Sequence, residues 1–287
     1  MSDDPNLEVI EHKVPVIKRT AAQDEAEPKP KPFPPYRPSP SQGPEPSSAV
    51  EPKPFFSTLV EPVSSKVSEE EINKIPYSAT GRLRFAWQGG SYLGTAWAGT
   101  PQGLITAAHN IYDVNEKKGQ HWGEVLPEGW SSDLRFALCF DDGTFTAEVR
   151  LDKVFILSGW AKTGRTQYDL AACTWQGGVI FRAAPVAANV PVQMIGEYTS
   201  IGYPGEPALG YDFNGKEMWK SVGDFLQKDP GAYSVGSILT KGASGGPWWV
   251  KIGAQSYVNG LTSGGGEKDN WSPYFGDGFM KLFYKIA

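Results

Sequence analysis

Fifteen of the chain's 24 prolines lie in its first 76 residues, whereas only one of its 33 glycines and none of its ten tryptophans do. Proline fixes φ and removes a backbone donor, so the run from Glu27 to Pro54 favours extended polyproline II over any packed element. This divides the 287 residues into a disordered Pro-rich arm over 1–76 and a folded domain over 77–287. Within the arm, Pro32-Phe33-Pro34-Pro35 and Pro35-Tyr36-Arg37-Pro38 have the composition of ligands for proline-recognition domains, the plain alternative being a spacer. Glu69, Glu70 and Glu71 can open a short helical turn before Pro76.

Charge excludes one class of partner. Nine basic and 13 acidic residues fall in the first 80, a net of −4, and the other 18 basic and 19 acidic residues leave −1. Neither part is a basic nucleic-acid surface. Cys139 and Cys173 are too few for a disulfide framework and lack metal-ligand spacing; each stands in an apolar strand context, as a buried free thiol does. No window approaches the roughly 18 apolar residues of a membrane span. The first 30 residues are charged throughout and hold no apolar signal-peptide core, so the expectation is a cytoplasmic protein, a secreted one being the alternative.

From Tyr77 onward the pattern has period two: Leu83, Phe85 and Trp87 point one way and Arg84 and Ala86 the other. Gln88-Gly89-Gly90 reads as a turn, followed by an apolar run from Ser91 to Ala98. Leu134 to Phe140, Asp141-Asp142-Gly143 and Thr144 to Leu151 repeat the strand, turn, strand signature. Further short runs occupy 153–158, 170–175, 178–182, 192–195, 198–202, 217–222, 232–236, 247–252 and 256–262. Short strands with Gly-rich turns and no long amphipathic helix indicate an all-β barrel or sandwich. Only Gly278 to Ile286 has helical spacing, through Phe279, Leu282, Phe283 and Ile286. Trp248 and Trp249 occupy adjacent strand positions, which places one in the core and leaves the other for an aromatic surface.

The most specific segment is Gly242-Ala243-Ser244-Gly245-Gly246-Pro247-Trp248. Small residues surround one hydroxyl and leave the Gly242 and Ser244 N–H groups able to meet the oxygen of a tetrahedral intermediate, although such a loop is equally a Gly-Ser hairpin turn. All three histidines precede Ser244, which excludes the Ser, acid, His chain order of α/β-hydrolases and leaves His, Asp, Ser. His12 lies in the arm and His121 in a charged connection, but His109 closes the apolar run Leu104-Ile105-Thr106-Ala107-Ala108. Asp169 is a lone carboxylate opening an apolar strand, and its task would be to accept from His109 Nδ1–H.

With these residues in view, the chain resembles the chymotrypsin-like serine proteases, and among them the glutamyl-endopeptidase-like branch. The resemblance runs from Ile75-Pro76-Tyr77-Ser78-Ala79-Thr80 through Leu93-Gly94-Thr95-Ala96-Trp97, Thr106-Ala107-Ala108-His109 and Tyr168-Asp169-Leu170-Ala171. It continues in Gly202-Tyr203-Pro204-Gly205-Glu206, Met218-Trp219, the Ser244 loop and Ser272-Pro273-Tyr274-Phe275-Gly276. It implies two six-stranded antiparallel β-barrels with a short C-terminal helix. It also implies a His109, Asp169, Ser244 triad between the barrels, an oxyanion hole from Gly242 and Ser244, a peptide or protein substrate, and no cofactor or metal. A non-catalytic binding module on the same fold is the competing class.

Two positions depart from the pattern. Asn110 stands where many such proteases have a cysteine, and Ala243 where they have an aspartate that pairs with a new N-terminal ammonium on activation. By the same resemblance the primary specificity pocket is walled by Ile238, Leu239 and Thr240 on one side and by Thr262, Ser263, Gly264 and Gly265 on the other, with the stretch near Ser272 completing its lining. No acid stands there for a basic side chain, and no histidine for an acidic one, which directs the expectation to an apolar or small side chain. Lys241, at the rim, is the one group able to attract an acidic substrate.

Overall fold

The computed structural model describes residues 4–15, 61–87, 90–114 and 129–287, and the backbone alone of 31–32. Three short strands come first: β1 (Val9–Lys13), β2 (Lys31–Pro32) and β3 (Val63–Lys66), followed by a helical turn α1 (Glu69–Ile72). Ser68 caps α1 in a capping box with Glu71, which satisfies the first orphan N–H groups. The first barrel then comprises β4 (Thr80–Trp87), β5 (Gly90–Thr100), β6 (Gly103–Thr106), β7 (Ser132–Leu138), β8 (Ala147–Leu157) and β9 (Ala171–Trp175). In β4 the inward positions Leu83 and Phe85 are buried while Arg82 and Arg84 are partly exposed, as the alternation requires. Each strand pairs antiparallel with the next around the ring β4, β5, β6, β9, β8, β7, and β7 returns to β4, closing six strands. A short helix, α2 (Ser158–Thr163), leaves the end of β8 and stops at Gly164, whose φ of 60° forms the C-cap.

The second sheet contains β10 (Glu197–Gly202), β11 (Trp219–Asp229), β12 (Ala232–Gly236), β13 (Pro247–Ile252), β14 (Gln255–Leu261), the two-residue β15 (Gly264–Gly265) and β16 (Asp269–Pro273). Its six main strands run in the order β14, β13, β10, β11, β12, β16. Unlike the first, this sheet curls without completing a strand ladder. Where β16 meets β14, the Leu261 N–H donates to Ser272 Oγ at 2.9 Å, and just beyond, the Ser263 N–H donates to the Trp271 carbonyl at 2.8 Å. Trp248 is buried between Tyr198 and Tyr233, and its neighbour Trp249 faces the other side, half exposed. The chain ends in α3 (Asp277–Phe283), where Phe279 and Leu282 pack on the first barrel's core.

Within the first 76 residues the described segments form strands and a helical turn. β1 pairs antiparallel with β8 over Lys153–Leu157, the edge that β7 leaves open after Arg150, and His12 sits in it rather than in a disordered segment. β3 pairs with Trp219–Val222 of β11, the edge that β12 leaves open before Phe225. Apolar anchors hold both: Val14 and Val67 are buried. Each strand is short and charged, so its signal is weak in the sequence, and the partner edge exists only once the barrels have formed. The rest of the arm, the Gln88-Gly89 turn and His121 lie outside the described residues.

Other differences have local causes. The runs at 178–182 and 192–195 form no strand, since Pro185 and Pro191 break up the connection between the sheets; Val192–Met194 is a single 3-10 turn. Residues 153–158 and most of 144–151 merge into the single long β8. β16 carries no strand signal, because Asp269-Asn270-Trp271-Ser272-Pro273 reads as polar loop. Both cysteines are free, Cys173 buried and Cys139 half-buried. Among the described residues no helix is long and apolar enough to cross a membrane.

Candidate active site

Strand pairing brings the histidine and the aspartate together. Thr106 at the end of β6 pairs with Ala171 at the start of β9. The 3-10 turn Ala108–Asn110 that follows β6 and the 3-10 turn Thr166–Tyr168 that precedes β9 therefore meet at the same end of the barrel. His109 and Asp169 are both buried there. The Asp169 carboxylate receives His109 Nδ1–H on Oδ2 at 2.7 Å and the His109 backbone N–H on Oδ1 at 2.8 Å. Ser263 Oγ donates to Oδ2 as well. An acceptor-only carboxylate with three donors fixes the proton of His109 on Nδ1 and leaves Nε2 as the basic nitrogen.

The Ser244 loop is fastened to the first barrel by that barrel's own residues. Thr95 on β5 donates its N–H to the Ser244 carbonyl and its hydroxyl to the Gly242 carbonyl, each at 2.8 Å. Asn110 Nδ2 donates to the same Ser244 carbonyl at 3.0 Å and to Thr106 Oγ1 at 3.0 Å. Ser244 itself stays partly exposed while residues on both sides of it are buried.

Backbone conformation explains the glycines. Gly242 has φ of 98°, and a Cβ there would collide with Leu93 and the Tyr203 carbonyl. Gly245, with φ of 86°, lies as tightly against Thr106 and the Thr95 carbonyl. The Ala243 N–H donates to the Thr240 carbonyl at 3.1 Å, and the Lys241 carbonyl accepts the Gly205 N–H at 2.6 Å. In a trans peptide C=O and N–H point in opposite directions, so this second bond turns the Gly242 N–H away from Gly205. Neither the Gly242 N–H nor the Ser244 N–H has an acceptor among the described residues. Ala243 is buried beside Phe213, Ile238 and Leu239, an apolar contact at the position that carries no acid to form an ion pair.

The expected pocket residues divide. Ile238 and Leu239 are nearly closed to solvent against Phe213, with Tyr211 and Trp219 beside them, so little of their apolar area is open to a substrate. Thr240 Oγ1 donates to the Glu206 carbonyl at 2.7 Å. Lys241 forms an ion pair with Glu206 at 2.8 Å, which neutralises the charge that the rim was expected to offer an acidic substrate. Thr262 Oγ1 accepts the Trp248 indole N–H at 3.0 Å. Ser263 points to Asp169 rather than lining a wall, and Gly264 and Gly265 form β15 at the edge of the second sheet. Sequence reasoning missed Thr95 and the bonding roles of Asn110 and Ser263, for each is polar without any spacing to a partner far along the chain. Among the described residues no group of three or more His, Cys, Asp or Glu is placed to hold a metal ion.

No protein-family model matches the chain, and no curated protein is significantly similar to it. Solved structures are. The serine protease AL20 from an extremophilic microorganism superimposes with a TM-score of 0.61 at 22% identity, over 73% of this chain and 97% of its own. The protease Anisep from Arthrobacter nicotinovorans gives 0.62 at 19%, over 78% and 99%. A Glu endopeptidase gives 0.60 at 19%, over 77% and 95%. The closed first barrel, the curled second sheet and the short C-terminal helix are the fold of the chymotrypsin-like serine proteases.

Proposed function

We propose that this protein is a serine endopeptidase in which Ser244 is the nucleophile, His109 the general base and acid, and Asp169 the group that orients His109. One observation carries the reading: the buried His109–Asp169 pair and the Ser244 loop are held by a shared set of bonds, through Thr95, Asn110 and Ser263. In the first step Ser244 Oγ bonds to the carbonyl carbon of a peptide while its proton passes to His109 Nε2. The developing oxyanion is met by the unengaged Gly242 and Ser244 N–H groups; one such donor is typically worth about 3–4 kcal/mol in the transition state. His109 then gives its proton to the leaving amine as the C–N bond breaks. Water, deprotonated by the same imidazole, releases the acid from the acyl-enzyme ester and returns the proton to Ser244.

The substrate main chain has an edge to pair with in β15, whose glycines bring no side chain into the way of an extended peptide. The Gly242 turn is already held by Gly205 and by burial of Ala243, so no newly formed N-terminus is needed to order it. Labelling with a fluorophosphonate probe tests the assignment. The native protein is expected to label and the Ser244→Ala variant to remain unlabelled, with parallel loss of peptide cleavage; equal labelling of the two would remove Ser244 from the mechanism.

A further inference from the structure

Asn270, two residues before Ser272, stands between the two expected walls of the specificity pocket. Gly265 on β15 pairs directly with Asn270 on β16. A Cβ built on Gly265 would run into Asn270 Nδ2, so the Asn270 side chain lies over the face where Gly265 presents none of its own. From there the same nitrogen donates to the Leu239 carbonyl at 3.2 Å, on the opposite wall, and to the Asp269 carbonyl at 3.0 Å. The amide thus spans from one wall to the other. It is 2% exposed, and its Oδ1 is buried with no hydrogen-bond partner.

The remaining wall groups are turned elsewhere. Thr262 accepts from Trp248, Ser263 donates to Asp169, Thr240 and Lys241 bind Glu206, and Ile238 and Leu239 pack on Phe213. Asn270 is the side chain that bridges the two walls while keeping a buried amide oxygen without a donor. A long side chain would have to displace an amide held by two backbone carbonyls. An acidic side chain would bring its acceptor oxygens against an amide oxygen that already lacks a donor.

We propose that Asn270 is the specificity-determining residue, and that the protein cleaves after short side chains, glycine, alanine and serine, in preference to acidic, aromatic, long aliphatic or basic ones. This rests on the endopeptidase reading above. Its test is kcat/KM for matched peptides carrying Ala, Ser, Leu, Phe, Lys or Glu before the scissile bond, measured on the native protein, Asn270→Gly and Asn270→Ala. Fluorophosphonate labelling of each in parallel reports an intact nucleophile. The native protein is expected to favour Ala or Ser by about tenfold or more over Phe, Lys and Glu, a discrimination in the range that pocket contacts supply. In Asn270→Gly the Phe-to-Ala ratio is expected to rise by about tenfold, with Asn270→Ala in between. Native turnover of Phe, Lys or Glu peptides equal to that of Ala would overturn the proposal whether or not the variants fold. So would variants that label but keep the native ratio. A native protein that neither labels nor cleaves would overturn the endopeptidase reading itself, and this substrate class with it.

Discussion

The side-chain amide of Asn110 donates to the Ser244 carbonyl across 3.0 Å, so the residue that follows His109 in the chain also holds the loop of Ser244. At this position the chain places a hydrogen-bond donor that couples two parts of the site directly. The bond is partly buried and joins the two sheets, which makes its removal informative about positioning rather than about chemistry.

Asn110→Ala leaves the Ser244 carbonyl with the Thr95 N–H alone. The expected result is a fall in kcat of about tenfold with KM little changed, and a melting temperature lower by about 2–4 °C. Asn110→Asp keeps the shape but presents oxygen to a carbonyl oxygen, and is expected to be slower than Asn110→Ala. Steady-state kinetics and thermal unfolding check both; native kcat in the two variants would show that the bond positions nothing.

Gly242→Ala puts a Cβ into Leu93 and the Tyr203 carbonyl at a φ that alanine rarely adopts. The turn has to rotate to relieve the clash, carrying the Gly242 N–H with it. A loss of kcat/KM of about a hundredfold or more is expected, with Ser244 still present. Single-turnover acylation with an activated ester would locate the loss in the step that forms the tetrahedral intermediate.

β1 and β3 each cover a strand edge that a barrel leaves open. A fragment beginning at residue 73 lacks both, exposing Lys153–Leu157 and Trp219–Val222 as unpaired edges that favour aggregation. It is expected to melt below a fragment beginning at residue 61, which retains β3, and that one below the full chain. Differential scanning calorimetry with light scattering would test the order, and equal melting temperatures would show that neither strand contributes.

His12 on β1 is stacked on Trp130 with ring centroids 4.3 Å apart, its Nε2 buried without a partner. Burial holds its pKa below the usual 6.5. Undocked, His12 takes up a proton at about 6.5, while docked it resists doing so, so docking of β1 is favoured above that pH and weakens as pH falls through it. The charged neighbours Glu11 and Lys153 pair with each other across the same strands. Hydrogen exchange at Val9–Lys13 is expected to quicken, beyond its intrinsic pH dependence, on going from about pH 7 to about pH 5, and His12→Phe to abolish the change.

Local chemistry made much of this protein legible in its sequence. Period-two alternation in Leu83 and Phe85, the Asp-Gly turn and the order of His109, Asp169 and Ser244 depend on residues close together or on chain order. They specified an all-β chain, a chymotrypsin-like resemblance and three candidate residues before any contact was known. What tertiary structure decided is which distant groups meet. In the sequence Ser263 is only a pocket-wall position, Asn110 only a departure from a cysteine and Asn270 only a neighbour of the stretch near Ser272; in the fold Ser263 bonds Asp169, Asn110 holds Ser244 and Asn270 reaches the Leu239 carbonyl. β1 and β3 likewise become strands because folded barrels present edges to them. Hydrogen bonds between residues 30 to 150 positions apart leave no periodicity in the chain; their geometry exists only after both sheets have formed.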